Sequence, residues 1–182
     1  MIEIERHAEP DEWEISLARF ISRLGCDVVF LERSLFDHDR RCDSLVNGLR
    51  WEMKNPTGNG YLTIHNQLIH VLYGQDKHHL NPQSSRVLIS NVRSTLTMEE
   101  MKNGLERALS GESGLTGAEI ACLHTVVLVD PNAGKLRGYT KSRQVAPESP
   151  PGSLTAHYDT TTFVHKLFGG RSENEPFLPE HL

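Results

Sequence analysis

The dipeptide Asn47-Gly48 is the feature that most constrains the fold of this 182-residue chain. Asn-Gly is the preferred pair for a two-residue type I′ turn between antiparallel strands. It divides the stretch DSLVNGLRWEMK (residues 43–54) into two short halves that can pair as a hairpin. If these two residues form the turn, the register of the hairpin places Asp43 directly opposite Glu52.

The predicted hairpin brings two acids and an amine to one face. Directly opposed residues of an antiparallel pair point to the same face with Cβ atoms about 5 Å apart. The alternation of a strand adds Lys54, two residues after Glu52. Carboxylate oxygens, a main-chain carbonyl and waters are the ligands of hard divalent cations such as Mg²⁺ or Mn²⁺.

We therefore predict that Asp43, Glu52 and the Met53 carbonyl hold a metal ion, with Lys54 positioned beside the attacking water. The residues leave one alternative open, which is a solvent-facing strand whose acids and lysine form a ladder of salt bridges. Opposed carboxylates repel each other unless a positive charge lies between them, and this repulsion favours the metal site.

Two polar residues on predicted helices are candidates to complete the site. Glu14 falls within the apolar face of a helix predicted over residues 11–24, where an unpaired carboxylate is costly. We expect it to serve the outer shell of the metal, although a capping box with Asp11 would also explain it. Gln67 lies at the edge of the apolar face of a second helix, where it could orient the lysine or the substrate, or be a satisfied flanking residue.

The order of the predicted elements is typical of an α/β domain. Helices are predicted over residues 11–24, 61–74 and 97–109, and strands over residues 26–32, 43–46, 49–54, 86–92 and 122–130. This order predicts one mixed-sheet domain with an αβββαβ core and an appended αβ unit. The composition changes at PESPPGS, so we divide the chain into a domain over residues 1–145 and a proline-rich linker and C-terminal tail over residues 146–182.

Composition argues against several classes of protein. No stretch approaches the roughly 20 apolar residues that span a bilayer, and the acidic N-terminus lacks the apolar segment of a signal peptide. The three cysteines form no CxxC pair, which favours free thiols in a reducing compartment over a zinc site or a disulfide framework. We expect action in the cytoplasm and no membrane anchoring. The net charge of −5 does not favour a polyanionic partner, but a local groove can still bind one.

These motifs resemble the PD-(D/E)xK nuclease superfamily. The shared features are an acid on the first helix, the spacing D-x₈-E-x-K over a hairpin and a glutamine on the next helix, here Glu14, Asp43, Glu52, Lys54 and Gln67. The resemblance covers about residues 12–92. It implies a nuclease whose acids hold a divalent metal and whose lysine serves the attacking water.

Within that superfamily, the stretch DSLVNGLRWEMKNPTGNGYLTIHNQL is similar to the C-terminal toxin domains of bacterial contact-dependent growth-inhibition systems. This similarity implies cleavage of RNA, commonly tRNA, and a cognate immunity protein as a candidate partner. The basic residues between Lys77 and Arg143 are scattered and form no continuous stripe, which also favours a compact RNA over long duplex DNA. Two alternatives remain: a DNA-directed endonuclease of the restriction or repair type, and a non-catalytic binding module of the same fold.

Overall fold

The computed structural model describes residues 1–32, 42–60, 62–74, 78–110, 114–141, 154–157 and 168. The helices in these ranges are α1 (Glu12–Arg23), α2 (Thr63–Tyr73), α3 (Met98–Leu109) and α4 (Gly117–Cys122). The strands are β1 (Ile2–Ile4), β2 (Val28–Phe30), β3 (Ser44–Val46), β4 (Leu49–Lys54), β5 (Arg86–Ser90), β6 (Thr125–Asp130), β7 (Lys135–Lys141) and β8 (Leu154–His157). None of the described helices is long and apolar enough to cross a membrane.

The eight strands form one mixed sheet in which their spatial order follows the chain from β1 to β8. The centre of the sheet is parallel, because β4, β5 and β6 run in the same direction. The pairs β2–β3, β3–β4, β6–β7 and β7–β8 are antiparallel, and the edge strand β1 pairs parallel with β2. The prediction of a mixed-sheet α/β domain is therefore confirmed.

Helices cover both faces of this sheet, and each face has its own apolar core. On one face, α1 packs with Trp51, Met53 and Leu88, and we call this the α1 face. On the other, α2 and α3 pack over Val87 and Ile89, and we call this the α2–α3 face. Because side chains alternate along a strand, Trp51 and Met53 of β4 point to the α1 face, and Glu52 and Lys54 point to the other face.

The sequence analysis did not predict β1, α4, β7 or β8. Helix α4 begins after Thr116, whose hydroxyl accepts a hydrogen bond from the Glu119 N–H at 3.3 Å. The Glu119 carboxylate bonds the Thr116 N–H at 2.5 Å in return. Cys122 therefore ends a short helix, and the strand that we predicted to begin there begins at Thr125.

Five described residues of the predicted tail belong to the fold. Strand β8 pairs antiparallel with β7 and extends the sheet by one strand. Phe168 is fully buried in the core of the α1 face, where its ring centroid lies 5.1 Å from that of Trp51. This part of the tail therefore packs beneath the strand that carries the predicted active-site residues.

Candidate active site

The hairpin of β3 and β4 has the register that its turn predicts. Val46 pairs with Leu49, and continuing this register places Asp43 opposite Glu52. Asn47 and Gly48 have φ angles of 50° and 81°, and a type I′ turn requires positive φ at both positions.

The Asn47 side chain also holds the turn in place. Its Oδ1 accepts a hydrogen bond from the Asp27 N–H at 2.8 Å, while its own N–H donates to the Asp27 carbonyl at 2.8 Å. Residue choice and backbone conformation therefore agree at this turn.

Asp43 lies directly before β3 and is fixed to β4 by its side chain. Its Oδ2 accepts a hydrogen bond from the Met53 N–H at 3.0 Å. Its carbonyl accepts another from the Leu31 N–H at 3.2 Å, which ties it to the neighbouring segment. The Asp43 carboxylate is therefore held beside the main chain that follows Glu52.

Glu52 and Lys54 project from β4 to the α2–α3 face, because they align with Val87 and Ile89 of β5. The Glu52 side chain is only 1% exposed, whereas that of Lys54 is 20% exposed. The Lys54 ammonium donates a hydrogen bond to Glu52 Oε1. Glu52 Oε2 is buried and has no hydrogen-bond partner among the described residues.

The electrostatics of Glu52 show that the two acids repel each other. Burial raises the pKa of Glu52, the nearby Asp43 carboxylate raises it further, and Lys54 only partly offsets them, so the pKa reaches about 7. A carboxyl group with this pKa lies in surroundings that disfavour its negative charge. A cation between the two acids would relieve both the burial cost and the repulsion.

These donors fit a hard divalent cation. The described ranges contain no group of three or more histidine, cysteine, aspartate or glutamate side chains suited to a metal. Two carboxylates would therefore need waters and a main-chain carbonyl to complete the coordination. Mg²⁺ suits such a set because it keeps several waters and uses one or two carboxylates.

Two other predicted residues have less defined positions in the site. The Met53 N–H donates to the Asp43 carboxylate, which places the main chain of Met53 beside that acid, and ligation by the Met53 carbonyl stays a prediction. Gln67 is half-buried on α2. Among the residues described, no hydrogen bond joins its amide to Asp43, Glu52 or Lys54, so an orienting role also stays a prediction.

Glu14 is buried as predicted, with 4% of its surface exposed. Its Oε2 accepts a hydrogen bond from the Asp11 N–H at 2.6 Å, which is the capping-box contact left open by the sequence. Helix α1 covers the face opposite to the one from which Glu52 and Lys54 project. The capping contact at the start of α1 is therefore present, and a role for Glu14 in the outer shell of the metal stays a prediction.

Sequence analysis overlooked a polar group that adjoins Lys54. Asn55 follows β4, and Asn91 and Ser94 lie in the turn after β5. Each has a buried polar atom without a hydrogen-bond partner in the described parts of the chain. One signal could have found them, because polar residues that follow neighbouring parallel strands meet at the same edge of the sheet.

Comparison with known proteins gives one structural similarity. No family model matches the chain, and no curated protein matches it. Among solved structures, it is similar to the CdiA-CT/CdiI toxin and immunity complex from Burkholderia pseudomallei, with 14% sequence identity and a TM-score of 0.48. The alignment covers 76% of this chain and 98% of the other. These values are too low to transfer an activity to this chain.

Proposed function

We propose that this protein is a metal-dependent nuclease whose active site comprises Asp43, Glu52 and Lys54. The observation that carries the proposal is the Glu52 carboxylate, which is buried beside Asp43 with one oxygen on Lys54 and the other without a partner. A buried carboxylate that faces a second carboxylate lowers the stability of the fold. Such a cost is typical of functional sites, where a ligand removes it.

A purely structural role explains the arrangement less well. A structural ion pair needs one acid for one lysine, and Lys54 already bonds Glu52. The second acid adds repulsion to the cost of burial, and the two effects together raise the pKa of Glu52 to about 7. An asparagine at position 43 could keep the hydrogen bond from the Met53 N–H without this repulsion, so a cation-binding role accounts for the charge of Asp43 better.

Each residue has a role in phosphodiester hydrolysis. Asp43 and Glu52 would hold Mg²⁺ or Mn²⁺ together with the Met53 carbonyl and waters. When bound, the ion lowers the pKa of a water and offsets charge on the phosphate. The Lys54 ammonium has three donors, of which one bonds Glu52, so the others can hold the attacking water and a non-bridging phosphate oxygen. Gln67 would orient the lysine or the substrate.

RNA is the proposed substrate class, and a compact RNA suits the described charges better than a long duplex. Lys102 pairs with Glu99 at 3.0 Å, and Arg137 lies 3.8 Å from the same carboxylate. A cation that is already paired with an acid of the protein attracts a phosphate group less strongly. Lys77 and Arg143 lie outside the described residues. The similarity of the hairpin motif to toxin domains extends the proposal to a toxin with a cognate immunity protein.

The test is cleavage of tRNA, mixed RNA and supercoiled plasmid at matched salt, with Mg²⁺ or with EDTA. We expect Mg²⁺-dependent cleavage of tRNA that is lost in Lys54→Ala. The matched control is Lys102→Ala, which removes a lysine of α3 and should keep most of the activity. Plasmid nicking with tRNA left intact would favour a DNA-directed endonuclease. Absence of all cleavage would favour a non-catalytic binding module.

A further inference from the structure

Arg93 lies in the turn that follows β5, next to the residue that follows Lys54. Its N–H donates a hydrogen bond to Asn55 Oδ1 at 3.2 Å. Asn55 adjoins Lys54 in the chain, and the Cα atoms of such neighbours are about 3.8 Å apart. The main chain of Arg93 is therefore fixed beside the end of β4 that carries the proposed active-site lysine.

The turn that carries Arg93 is held by hydrogen bonds on both sides of this residue. The Val92 N–H donates to Ser90 Oγ at 3.4 Å. The Ser94 N–H donates to the Asn91 carbonyl at 3.0 Å. Together with the bond that Arg93 itself donates, three consecutive N–H groups have partners. The side chain of Arg93 takes part in none of these bonds, so a substitution there leaves the turn in place.

The Arg93 side chain is exposed, and no ion pair joins it to an acid of the described residues. The acids that follow it at the start of α3 have other partners. Glu99 contacts Lys102 at 3.0 Å and Arg137 at 3.8 Å. The Glu100 carboxylate takes part in the capping box of the helix. The charge of Arg93 is therefore available to an anion from solution.

A nucleic-acid substrate needs more than one cation at the site. Every phosphate of a strand carries one negative charge. Lys54 already donates to Glu52, and its other donors are proposed to hold the attacking water and the scissile phosphate. The phosphate next to the scissile one needs a second cation. An arginine suits this role, because its planar guanidinium is always charged and can bind phosphate through two parallel hydrogen bonds.

We propose that Arg93 binds the phosphate next to the scissile one and so positions a single-stranded segment of RNA at the active site. The choice of RNA rests on the proposed function, whereas the place of Arg93 rests on its bond to Asn55. Arg93 is a positioning residue, because the phosphate that it contacts does not react. It would hold the substrate and the transition state equally, which lowers KM and leaves kcat unchanged.

The first experiment measures the binding of a single-stranded hexaribonucleotide in EDTA, where metal-dependent cleavage does not occur, at several salt concentrations. Arg93→Gln should weaken binding about tenfold at low salt, which corresponds to one hydrogen bond to a charged group. It should also lower the slope of log affinity against log salt by about 0.7, the contribution of one phosphate contact on a single strand. Arg93→Lys keeps the charge and should keep the slope.

The matched control is Arg19→Gln, which removes an exposed arginine of α1 on the other face of the sheet. It should change neither the affinity nor the slope. Equal slopes for Arg93→Gln and the wild type would overturn the inference, and so would equal losses of affinity in Arg93→Gln and Arg19→Gln. The same holds if the wild type does not bind the hexaribonucleotide.

The second experiment measures cleavage in Mg²⁺. Arg93→Gln should raise KM for the hexaribonucleotide about tenfold with kcat unchanged. A dinucleotide of the same sequence has one phosphodiester and no neighbouring phosphate, so Arg93→Gln should leave its kcat/KM unchanged. An equal loss on the dinucleotide would place Arg93 at the scissile phosphate and overturn the inference.

The two experiments separate this inference from the proposed function. Binding that depends on Arg93 without any cleavage would uphold the phosphate contact and refute the nuclease function. Cleavage of the hexaribonucleotide with a KM that Arg93→Gln does not change would uphold the nuclease function and overturn the inference.

Discussion

Replacing Glu52 with glutamine is expected to remove a pH dependence from the stability of the metal-free protein. The pKa of Glu52 is about 7 in the folded protein, against 4.5 for an ordinary glutamate. The folded protein therefore holds this proton more tightly than the unfolded chain does. The free energy of unfolding falls as the pH rises from about 4.5 through about 7, and it stays low above that range.

The expected loss is about 3 kcal/mol, since each tenfold change in proton affinity corresponds to about 1.4 kcal/mol. Glutamine stays neutral at every pH, so the free energy of unfolding of Glu52→Gln should not show this loss. The assay is urea unfolding in EDTA at pH 5 and pH 8.5. We compare the free energy of unfolding of the variant with that of the wild type at each pH. The variant should gain about 3 kcal/mol relative to the wild type between pH 5 and pH 8.5.

The control is Glu12→Gln, which changes an exposed acid of α1 and should keep the pH dependence of the wild type. Added Mg²⁺ at pH 8.5 should reverse the order, because a bound ion stabilises the wild type by roughly 2.7 kcal/mol at a hundredfold excess over its Kd. If Glu52→Gln and the wild type lose stability equally with rising pH, the burial of the Glu52 carboxylate beside Asp43 is not as described.

Two further predictions concern the elements around the site. Phe168→Ala should lower the free energy of unfolding by about 3–5 kcal/mol because its fully buried ring packs on Trp51. Leu62→Ala, at a residue that is 44% exposed, is the control, and equal melting temperatures for the two variants would contradict this packing. Glu14→Ala should cost about 1 kcal/mol through the lost capping contact with Asp11. Glu14→Gln should weaken the stabilisation by Mg²⁺, because Glu14 is predicted to serve the outer shell of the metal, and an unchanged response would limit Glu14 to its capping contact.

The sequence predicted the hairpin well because its turn chemistry is local. Asn47 and Gly48 adopt the conformation that the pair favours, and the register of Asp43 and Glu52 follows from it. The inward direction of Glu14 was also predicted, since it depends only on helical periodicity. Which face of the sheet a helix covers depends on tertiary packing, and the sequence alone could not predict that α1 covers the face opposite to Glu52 and Lys54.

Other elements could not be predicted because their stability depends on distant partners. Strand β1 has only three residues, of which Ile4 is exposed, and it exists through its parallel pairing with β2. Strand β7 is polar enough to read as a loop, and the six residue pairs that it forms with β6 define it. The capping box of Thr116 and Glu119 was visible in the sequence and would have identified α4.

The most direct test of the active site is to measure Mn²⁺ binding by calorimetry and RNA cleavage on the same protein samples. The wild type should bind one metal ion at the hairpin and cleave, whereas Asp43→Asn and Glu52→Gln should lose both properties together. Lys54→Ala should still bind Mn²⁺ but not cleave, because the lysine serves the water and the phosphate and does not ligate the metal. Unchanged Mn²⁺ binding in Asp43→Asn and Glu52→Gln, or full cleavage by Lys54→Ala, would contradict the assignment of these three residues as one catalytic centre.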